Sequence, residues 1–158
     1  MPQLQAGDIA PDFALPDSGG RLVVLAGLGP GPVIVYFYPA ALTPGCTREA
    51  LDFSAAADAF REAGYRILGL SPDQPAKLAR FEAEQHLAIT LLSDPERAVI
   101  TAYGAWGSRV IWGKAVEGLI RSTFVLDVDD QGRALVRRAW YNVRASGHVD
   151  RLRAVLDV

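Results

Sequence analysis

Apolar positions along the chain alternate between short continuous runs and helical stripes. The run Val33–Tyr38 is β-branched and aromatic without polar alternation, which is typical of a strand buried on both faces of a sheet. The following apolar positions recur at intervals of three and four residues, so they predict one helix that closes at Gly64. The members of this stripe are Ala50, Phe53, Ala57 and Phe60. Arg66–Ser71 then reads as a second strand, parallel to the first.

The remaining pattern completes an α/β order. It predicts an N-terminal hairpin around the turn 16–20, a helix over Pro75–Gln85, a strand over Ile89–Leu92, a helix from Pro95 to about Tyr103, a hairpin of Ser122–Val128 with Ala134–Trp140, and a last helix with Val149, Leu152 and Leu156 on one face. No linker or repeat interrupts the chain, so we expect residues 1–158 to form a single domain. The fold expected is a thioredoxin-like three-layer sandwich with a mixed sheet.

Composition narrows the function classes. Half of the residues are hydrophobic, 22% are charged and the net charge is −2, so we expect neither a nucleic-acid partner nor a membrane partner. No run approaches the ~20 apolar residues that span a bilayer. The small net charge and the fully assigned stripes favour a monomer, with a dimer through the loop containing Trp106 as the alternative.

The chain has one cysteine, Cys46. An intramolecular disulfide is therefore impossible, and a single thiol favours a reducing compartment. The N-terminus shows no basic segment followed by an apolar run, so the expected location is cytoplasmic. A lone cysteine is most often a small buried hydrophobic residue, and its position must decide whether it is more than that.

Cys46 falls in the first turn of the helix that follows the buried strand. Thr43 is the candidate N-cap and Pro44 the first helical residue. Free amide groups and the dipole at a helix N-terminus stabilise a thiolate, the nucleophilic form, by about 0.3–1 kcal/mol. This contribution is too small to make a thiol mostly ionised at neutral pH, so a nearby cation is needed in addition. Arg121 opens a later strand that can lie beside Val33–Tyr38.

Each of these residues has a simpler interpretation that the pattern leaves open. Arg121 can be an ordinary surface residue at a strand end, and Thr43 can serve only as a cap. Pro39 can act only as a strand terminator, or it can also shield the thiol from water. Arg48 stands two residues after Cys46 and points elsewhere on the helix.

Other candidate sites are weak. His86 and His148 lie far apart without further metal ligands at suitable spacing, so both are interpreted as surface or capping residues. Asp129 and Asp130 precede Gln131-Gly132 and favour a hairpin turn over a calcium site. The three tryptophans are assigned to core or rim packing; they are Trp106, Trp112 and Trp140. No metal and no cofactor are expected.

The segment Phe37–Glu49 resembles the active-site segment of the peroxiredoxins. The shared pattern is a proline, three residues, a threonine, two residues and a cysteine, here Pro39, Thr43 and Cys46. The stretch 43–47 with Glu49 resembles in particular the PrxQ subfamily, also called bacterioferritin comigratory proteins. The resemblance covers nearly the whole chain, and the segment Gly118–Phe124 resembles the one that carries the family's active-site arginine.

The resemblance implies a mechanism. The Cys46 thiolate attacks the terminal oxygen of a hydroperoxide, while Thr43, Arg121 and the Cys46 backbone N–H hold the two oxygens. Cys46 then becomes a sulfenic acid. Many relatives carry a resolving cysteine five residues after the reactive one, where this chain has Leu51. The chain thus resembles a one-cysteine variant reduced by an external thiol: thioredoxin, glutaredoxin with a low-molecular-weight thiol, or such a thiol directly.

Two rival functions remain at this point. Thr43-Pro44-Gly45-Cys46 also fits a monothiol disulfide reductase in which threonine replaces the first cysteine of a dithiol motif. A non-catalytic redox sensor or binding module, in which oxidation of Cys46 alters a partner interface, is the alternative from another class. The rate of reaction with peroxide discriminates among the three.

Overall fold

The structure is a computed structural model that describes residues 3–158. Its strands are Ile9–Ala10 (β1), Ala14–Pro16 (β2), Leu22–Val24 (β3), Gly31–Phe37 (β4), Arg66–Ser71 (β5), Thr90–Ser93 (β6), Trp106–Ile111 (β7), Lys114–Leu119 (β8), Ser122–Val128 (β9) and Ala134–Tyr141 (β10). The helices are Pro44–Ala55 (α1), Ala57–Glu62 (α2), Pro75–Gln85 (α3), Ala98–Ala102 (α4) and His148–Leu156 (α5), with a 3₁₀ turn over Leu25–Leu28.

Six strands form one mixed sheet in the order β1-β10-β9-β4-β5-β6. The central strand β4 runs parallel to β5 and antiparallel to β9. The predicted neighbourhood of β9 and the buried strand is therefore confirmed. The register pairs Phe37, the last residue of β4, with Ser122, the first residue of β9. Arg121 consequently lies at the end of the sheet where the chain leaves β4 toward Cys46.

Strand β4 is buried on both faces, as its composition predicted. Val33, Val35 and Phe37 join a core with the N-terminal hairpin and α4. Ile34, Tyr36 and Tyr38 join a second core with α1, α2, α3 and α5. The sheet thus lies between two layers, which confirms the mixed three-layer α/β architecture.

An aromatic stack docks α1 on the sheet. The ring of Tyr36 stacks on Phe53 of α1 with a centroid separation of 4.4 Å. On the neighbouring strand, Gly69 lies beneath the Tyr36 ring, and a Cβ at Gly69 would lie 2.8 Å from Tyr36 Cζ. Only glycine leaves room for this ring, so the position of Tyr36 under the helix carrying Cys46 depends on Gly69.

The predicted helix up to Gly64 is two helices, and the single-helix prediction is wrong. The break falls at Ala56, whose N–H is shared between the carbonyls of Asp52 and Phe53. Phe53 and Phe60 are both fully buried on either side of the break. Because the apolar spacing continues through it and no glycine or proline marks it, the pattern carried no sign of the interruption. The helix predicted from Pro95 is also shorter, beginning at Ala98 after Arg97 in the left-handed region.

A hairpin that the sequence did not predict joins β7 to β8. Its turn is Trp112-Gly113, both with positive φ (53° and 76°), a backbone typical of a two-residue hairpin turn. Trp112 is 97% exposed at the tip, so the assignment of this residue to core or rim packing is wrong. Trp106 is half-buried and carries the guanidinium of Arg97 over its ring at 4.2 Å.

Candidate active site

The loop between β4 and α1 is anchored to the end of β5. The Ala41 N–H donates to Asp73 Oδ2 at 2.7 Å, and the Ser71 hydroxyl donates to the same oxygen at 2.9 Å. Leu42, the next residue, adopts a left-handed backbone with φ 66°, a conformation unfavourable for a leucine. These bonds fix the path of the chain into α1 and so fix the position of the first helical turn.

Cys46 is the third residue of α1, and its side chain is buried. Thr43 occupies the N-cap position and Pro44 the first helical position, as predicted. The Thr43 hydroxyl, however, donates to the Ala40 carbonyl at 2.7 Å and makes no cap hydrogen bond, so the prediction of side-chain capping is wrong. The nearby carbonyl of Ala40 satisfies the hydroxyl instead. Within residues 3–158, no side chain occupies the backbone N–H groups of Gly45 and Cys46, which leaves them available to a ligand.

Arg121 and Cys46 come together, 75 residues apart in sequence. Nη2 of Arg121 lies 3.4 Å from the Sγ atom of Cys46. The arginine precedes β9 by one residue, and its carbonyl accepts a hydrogen bond from the Val143 N–H at 2.9 Å. Register of β9 and β4 therefore places a guanidinium beside the thiol at the point where β4 ends.

Gly45 leaves room for this contact. A Cβ on Gly45 would lie 3.4 Å from Nη2 of Arg121, in van der Waals contact with the guanidinium. The residue directly before the cysteine therefore packs closely beside the guanidinium that faces the sulfur.

Glu49 enters the sequence analysis only as part of the PrxQ-like pattern, and its contact with Arg121 was not predicted. Its Oε1 atom lies 2.5 Å from Nη1 of Arg121, and its side chain has no exposed surface. Glu49 follows Cys46 by three residues, so both project from the same face of α1. That spacing, on the inward face of the helix, was the available signal. One guanidinium therefore binds the buried carboxylate with one nitrogen and faces the thiol with the other.

Burial sets the electrostatics of this pair. Desolvation raises the pKa of Glu49 to about 7, although Arg121 opposes the shift. Burial disfavours the charge on Arg121, but Glu49 and Cys46 outweigh it and raise the pKa of the guanidinium. Glu49 Oε2 has no hydrogen-bond partner among the described residues. Arg121 therefore remains a cation, held by a carboxyl group that titrates near neutral pH.

Two phenol side chains lie on the face of the sheet that α1 covers. The hydroxyls of Tyr36 and Tyr38 are buried, and no described residue hydrogen-bonds to them. Burial raises the pKa of both groups, so both stay protonated at any physiological pH. Pro39 is half-buried and follows β4 by two residues. Its role as a shield for the thiol stays a prediction.

His148, interpreted from sequence as a surface or capping residue, is buried. Its Nε2 atom lies 2.8 Å from Thr123 Oγ1 on β9, and its ring packs edge-on against Phe53. Burial, with Arg151 and Arg121 nearby, lowers the pKa of His148 to about 4. His148 opens α5, and its bond to β9 ties that helix to the sheet. His86, in contrast, is exposed in the left-handed region after α3.

Lowering the pH is expected to reduce the free energy of unfolding through protonation of His148. Its pKa is about 4 in the folded chain and about 6.5 in the unfolded chain, so the unfolded state binds the extra proton as pH falls below 6.5. Between pH 7 and pH 4 this costs on the order of 2–3 kcal/mol of unfolding free energy. Denaturant titrations of wild type and His148→Asn across this range measure it. His86→Asn, at an exposed position, is the control. Parallel curves for wild type and His148→Asn would contradict the assignment.

The other weak candidates resolve simply. Asp129 accepts hydrogen bonds from the N–H groups of Gln131 and Arg133, which confirms the hairpin turn. Among residues 3–158, no cluster of three His, Cys, Asp or Glu side chains is arranged to hold a metal ion. Within the same range, no helix has the length and apolar character needed to cross a membrane.

A buried thiol on the first turn of a helix faces an arginine from the adjoining strand of the mixed sheet, a geometry suited to the chemistry of a thiol peroxidase. Comparison with known proteins agrees. Residues 6–133 match the AhpC/TSA family, and the chain belongs to that family. Within it, the chain is a peroxiredoxin of the PrxQ or bacterioferritin comigratory type with a single cysteine.

Individual relatives span almost the whole chain. A Mycobacterium tuberculosis protein named as a peroxiredoxin is 53% identical over 99% of this chain and 97% of its own length. Peroxiredoxin Bcp of Escherichia coli K12 is 40% identical over 95% of this chain and 94% of its own. The structure of peroxiredoxin Q from Xanthomonas campestris superposes with a TM-score of 0.83, at 37% identity, over 92% of this chain and 90% of that one.

These likenesses decide between the functions left open by the sequence. Structures of the Xanthomonas campestris bacterioferritin comigratory protein address its alkyl peroxide reduction activity. The chain is a thiol peroxidase, which takes a peroxide as substrate and a thiol as reductant. The disulfide-reductase and sensor interpretations are not favoured by any relative named here.

Proposed function

We propose that Cys46 is the peroxide-reducing residue of this chain and that Arg121 is its catalytic partner. The observation that carries the proposal is the 3.4 Å separation between the Cys46 sulfur and an Arg121 nitrogen in a buried site. A guanidinium at this distance faces both the sulfur and the oxygens of a bound hydroperoxide. Thr43 and Pro39 complete the proposed site, with Pro39 restricting water at the mouth.

Peroxide reduction at Cys46 is a single displacement at oxygen. The thiolate sulfur attacks the terminal oxygen of the hydroperoxide, an S–O bond forms and the O–O bond breaks. The sulfur is oxidised to a sulfenic acid, and the departing alkoxide or hydroxide takes a proton from solvent. Arg121 and the free N–H of Cys46 stabilise the negative charge that grows on the oxygens during bond cleavage. The same chemistry accommodates hydrogen peroxide and the alkyl peroxides named for the Xanthomonas relative.

Regeneration requires reductant from outside the chain, because Cys46 is its only cysteine. Thioredoxin, glutaredoxin with a small thiol, and a small thiol alone are the three candidates. We further propose that residues 1–158 act as one monomeric domain in the cytoplasm. The small net charge and the single thiol support these parts of the proposal.

Stopped-flow kinetics test the proposal. The reduced protein is mixed with hydrogen peroxide or an organic hydroperoxide, and tryptophan fluorescence follows the reaction. We expect rates orders of magnitude above that of a free thiol and one sulfenic acid per chain, trapped by dimedone on Cys46. A rate equal to that of a free thiol would overturn the proposal.

A further inference from the structure

A cavity of about 320 Å³ lies between the end of β10 and α5. This volume falls at the lower end of the range for small-molecule sites. One part of its lining is apolar and the other carries two guanidinium groups. The lining side chains include Trp140, Val143, Leu152, Val155, Arg144 and Arg151.

The two arginines carry charges that the chain does not neutralise. Within residues 3–158, no carboxylate lies within 4 Å of the guanidinium of Arg144 or Arg151. Arg151 donates to the backbone carbonyls of Arg144 and Ser146, at 3.5 and 3.3 Å. Gly147 lies under this side chain, and a Cβ there would lie 2.9 Å from Arg151 Nη1. The backbone thus holds Arg151 in place and leaves its charge for an anion.

The wall of this cavity contacts the residues that surround the thiol. The Val143 N–H in its wall donates to the carbonyl of Arg121, the residue that faces Cys46. Ala145, two residues after Val143, contacts the helix that carries the thiol. Its Cβ lies 3.9 Å from the position that a Cβ on Gly45 would take. One continuous segment, residues 143–145, therefore carries Arg144 of the arginine pair and contacts the first turn of α1.

We propose that this cavity binds the carboxylate end of a small thiol that reduces the Cys46 sulfenic acid. This inference rests on the proposed function and names the class of reductant: a low-molecular-weight thiol bearing a carboxylate, of about the size of a short peptide. Charge complementarity with Arg144 and Arg151 supports the carboxylate. The apolar wall formed by Trp140 and Val155 accommodates the carbon skeleton.

Two molecules of this thiol complete each cycle. The sulfur of the first attacks the Cys46 sulfur, an S–S bond forms, the S–O bond breaks, and the oxygen leaves as water with the thiol proton. The sulfur of the second attacks the small-thiol sulfur of the mixed disulfide. Cys46 leaves as a thiol, and the two small thiols depart as a disulfide, having supplied both electrons.

Pre-oxidised enzyme isolates this step. One equivalent of hydrogen peroxide converts Cys46 to the sulfenic acid, which is then mixed with reduced glutathione, glutathione dimethyl ester or cysteamine. The rate of mixed-disulfide formation is followed by mass spectrometry. The variants are Arg144→Ala, Arg151→Ala and both together. Arg138→Ala, an exposed arginine of β10 outside the cavity, is the matched control.

We expect glutathione to react at least tenfold faster than its ester with wild type. The double variant should lose this advantage for glutathione, while its rate with the ester and with cysteamine changes less than twofold. Equal rates for glutathione and its ester, or an equal loss with all three thiols, would overturn the inference. Failure to form any sulfenic acid would instead refute the proposed function.

Discussion

Arg121→Ala is expected to slow the reaction of reduced enzyme with hydrogen peroxide by about 10²–10³-fold, the usual cost of removing one donor to a developing oxyanion. The guanidinium lies 3.4 Å from the thiol sulfur, in a site from which water is largely excluded. Its charge acts on the thiolate and on the departing oxygen. Stopped-flow rates with hydrogen peroxide, measured in the absence of reductant, give the loss. Cys46→Ser, which has no thiol, gives the background rate.

Two further variants make this result specific. Arg121→Lys is expected to recover little of the rate, because one ammonium cannot bind Glu49 and face Cys46 with two separate nitrogens. Arg48→Ala removes an exposed arginine of α1 that pairs only with Asp52, and it should leave the rate within a factor of two. If Arg121→Ala reacted within threefold of the wild-type rate, Arg121 would have no role in the reaction.

Local rules placed Cys46 at the start of a helix and allowed Arg121 to approach it, and the resemblance to the peroxiredoxin segment assigned Arg121 to the site. Cys46 had to fall in a first helical turn, since Pro44 can start a helix but cannot continue one. Arg121 had to fall near it if β9 pairs with β4, and the apolar content of both strands favoured that pairing. The packing of Gly45 beside Arg121, at 3.4 Å from an added Cβ to Nη2, becomes apparent only once the arginine is in place.

Other features depend on packing that no local pattern records. Glu49 looks like an ordinary helix carboxylate, and only the approach of Arg121 from another strand allows it to be buried. The Thr43 hydroxyl turned to the Ala40 carbonyl because of the loop path set by Asp73. His148 is buried because α5 begins against Thr123 of β9, a contact between elements 25 residues apart.

Glu49→Ala is expected to lower the peroxide rate by about 10²-fold, although Glu49 makes no contact with the thiol among the hydrogen bonds of the site. The carboxylate holds Nη1 of Arg121 at 2.5 Å and so directs Nη2 toward Cys46. Without it, the guanidinium loses its orientation. Removing one partner of a buried pair also costs about 3–5 kcal/mol of unfolding free energy, so denaturant titration accompanies the kinetics.

A positioning role predicts three results that a purely structural role does not. Glu49→Gln keeps an oxygen for Arg121 without the charge, so it should react at about the rate that wild type shows below pH 7, above the rate of Glu49→Ala. Because the pKa of Glu49 is about 7, the wild-type rate should rise as pH increases through 7 and the ion pair forms, and Glu49→Gln should lose this component of the profile. The double variant Glu49→Ala with Arg121→Ala should react no more slowly than Arg121→Ala alone, since Glu49 acts through the arginine. Additive losses in that cycle would show that Glu49 acts on the reaction independently of Arg121, and the buried carboxyl would then need a role of its own.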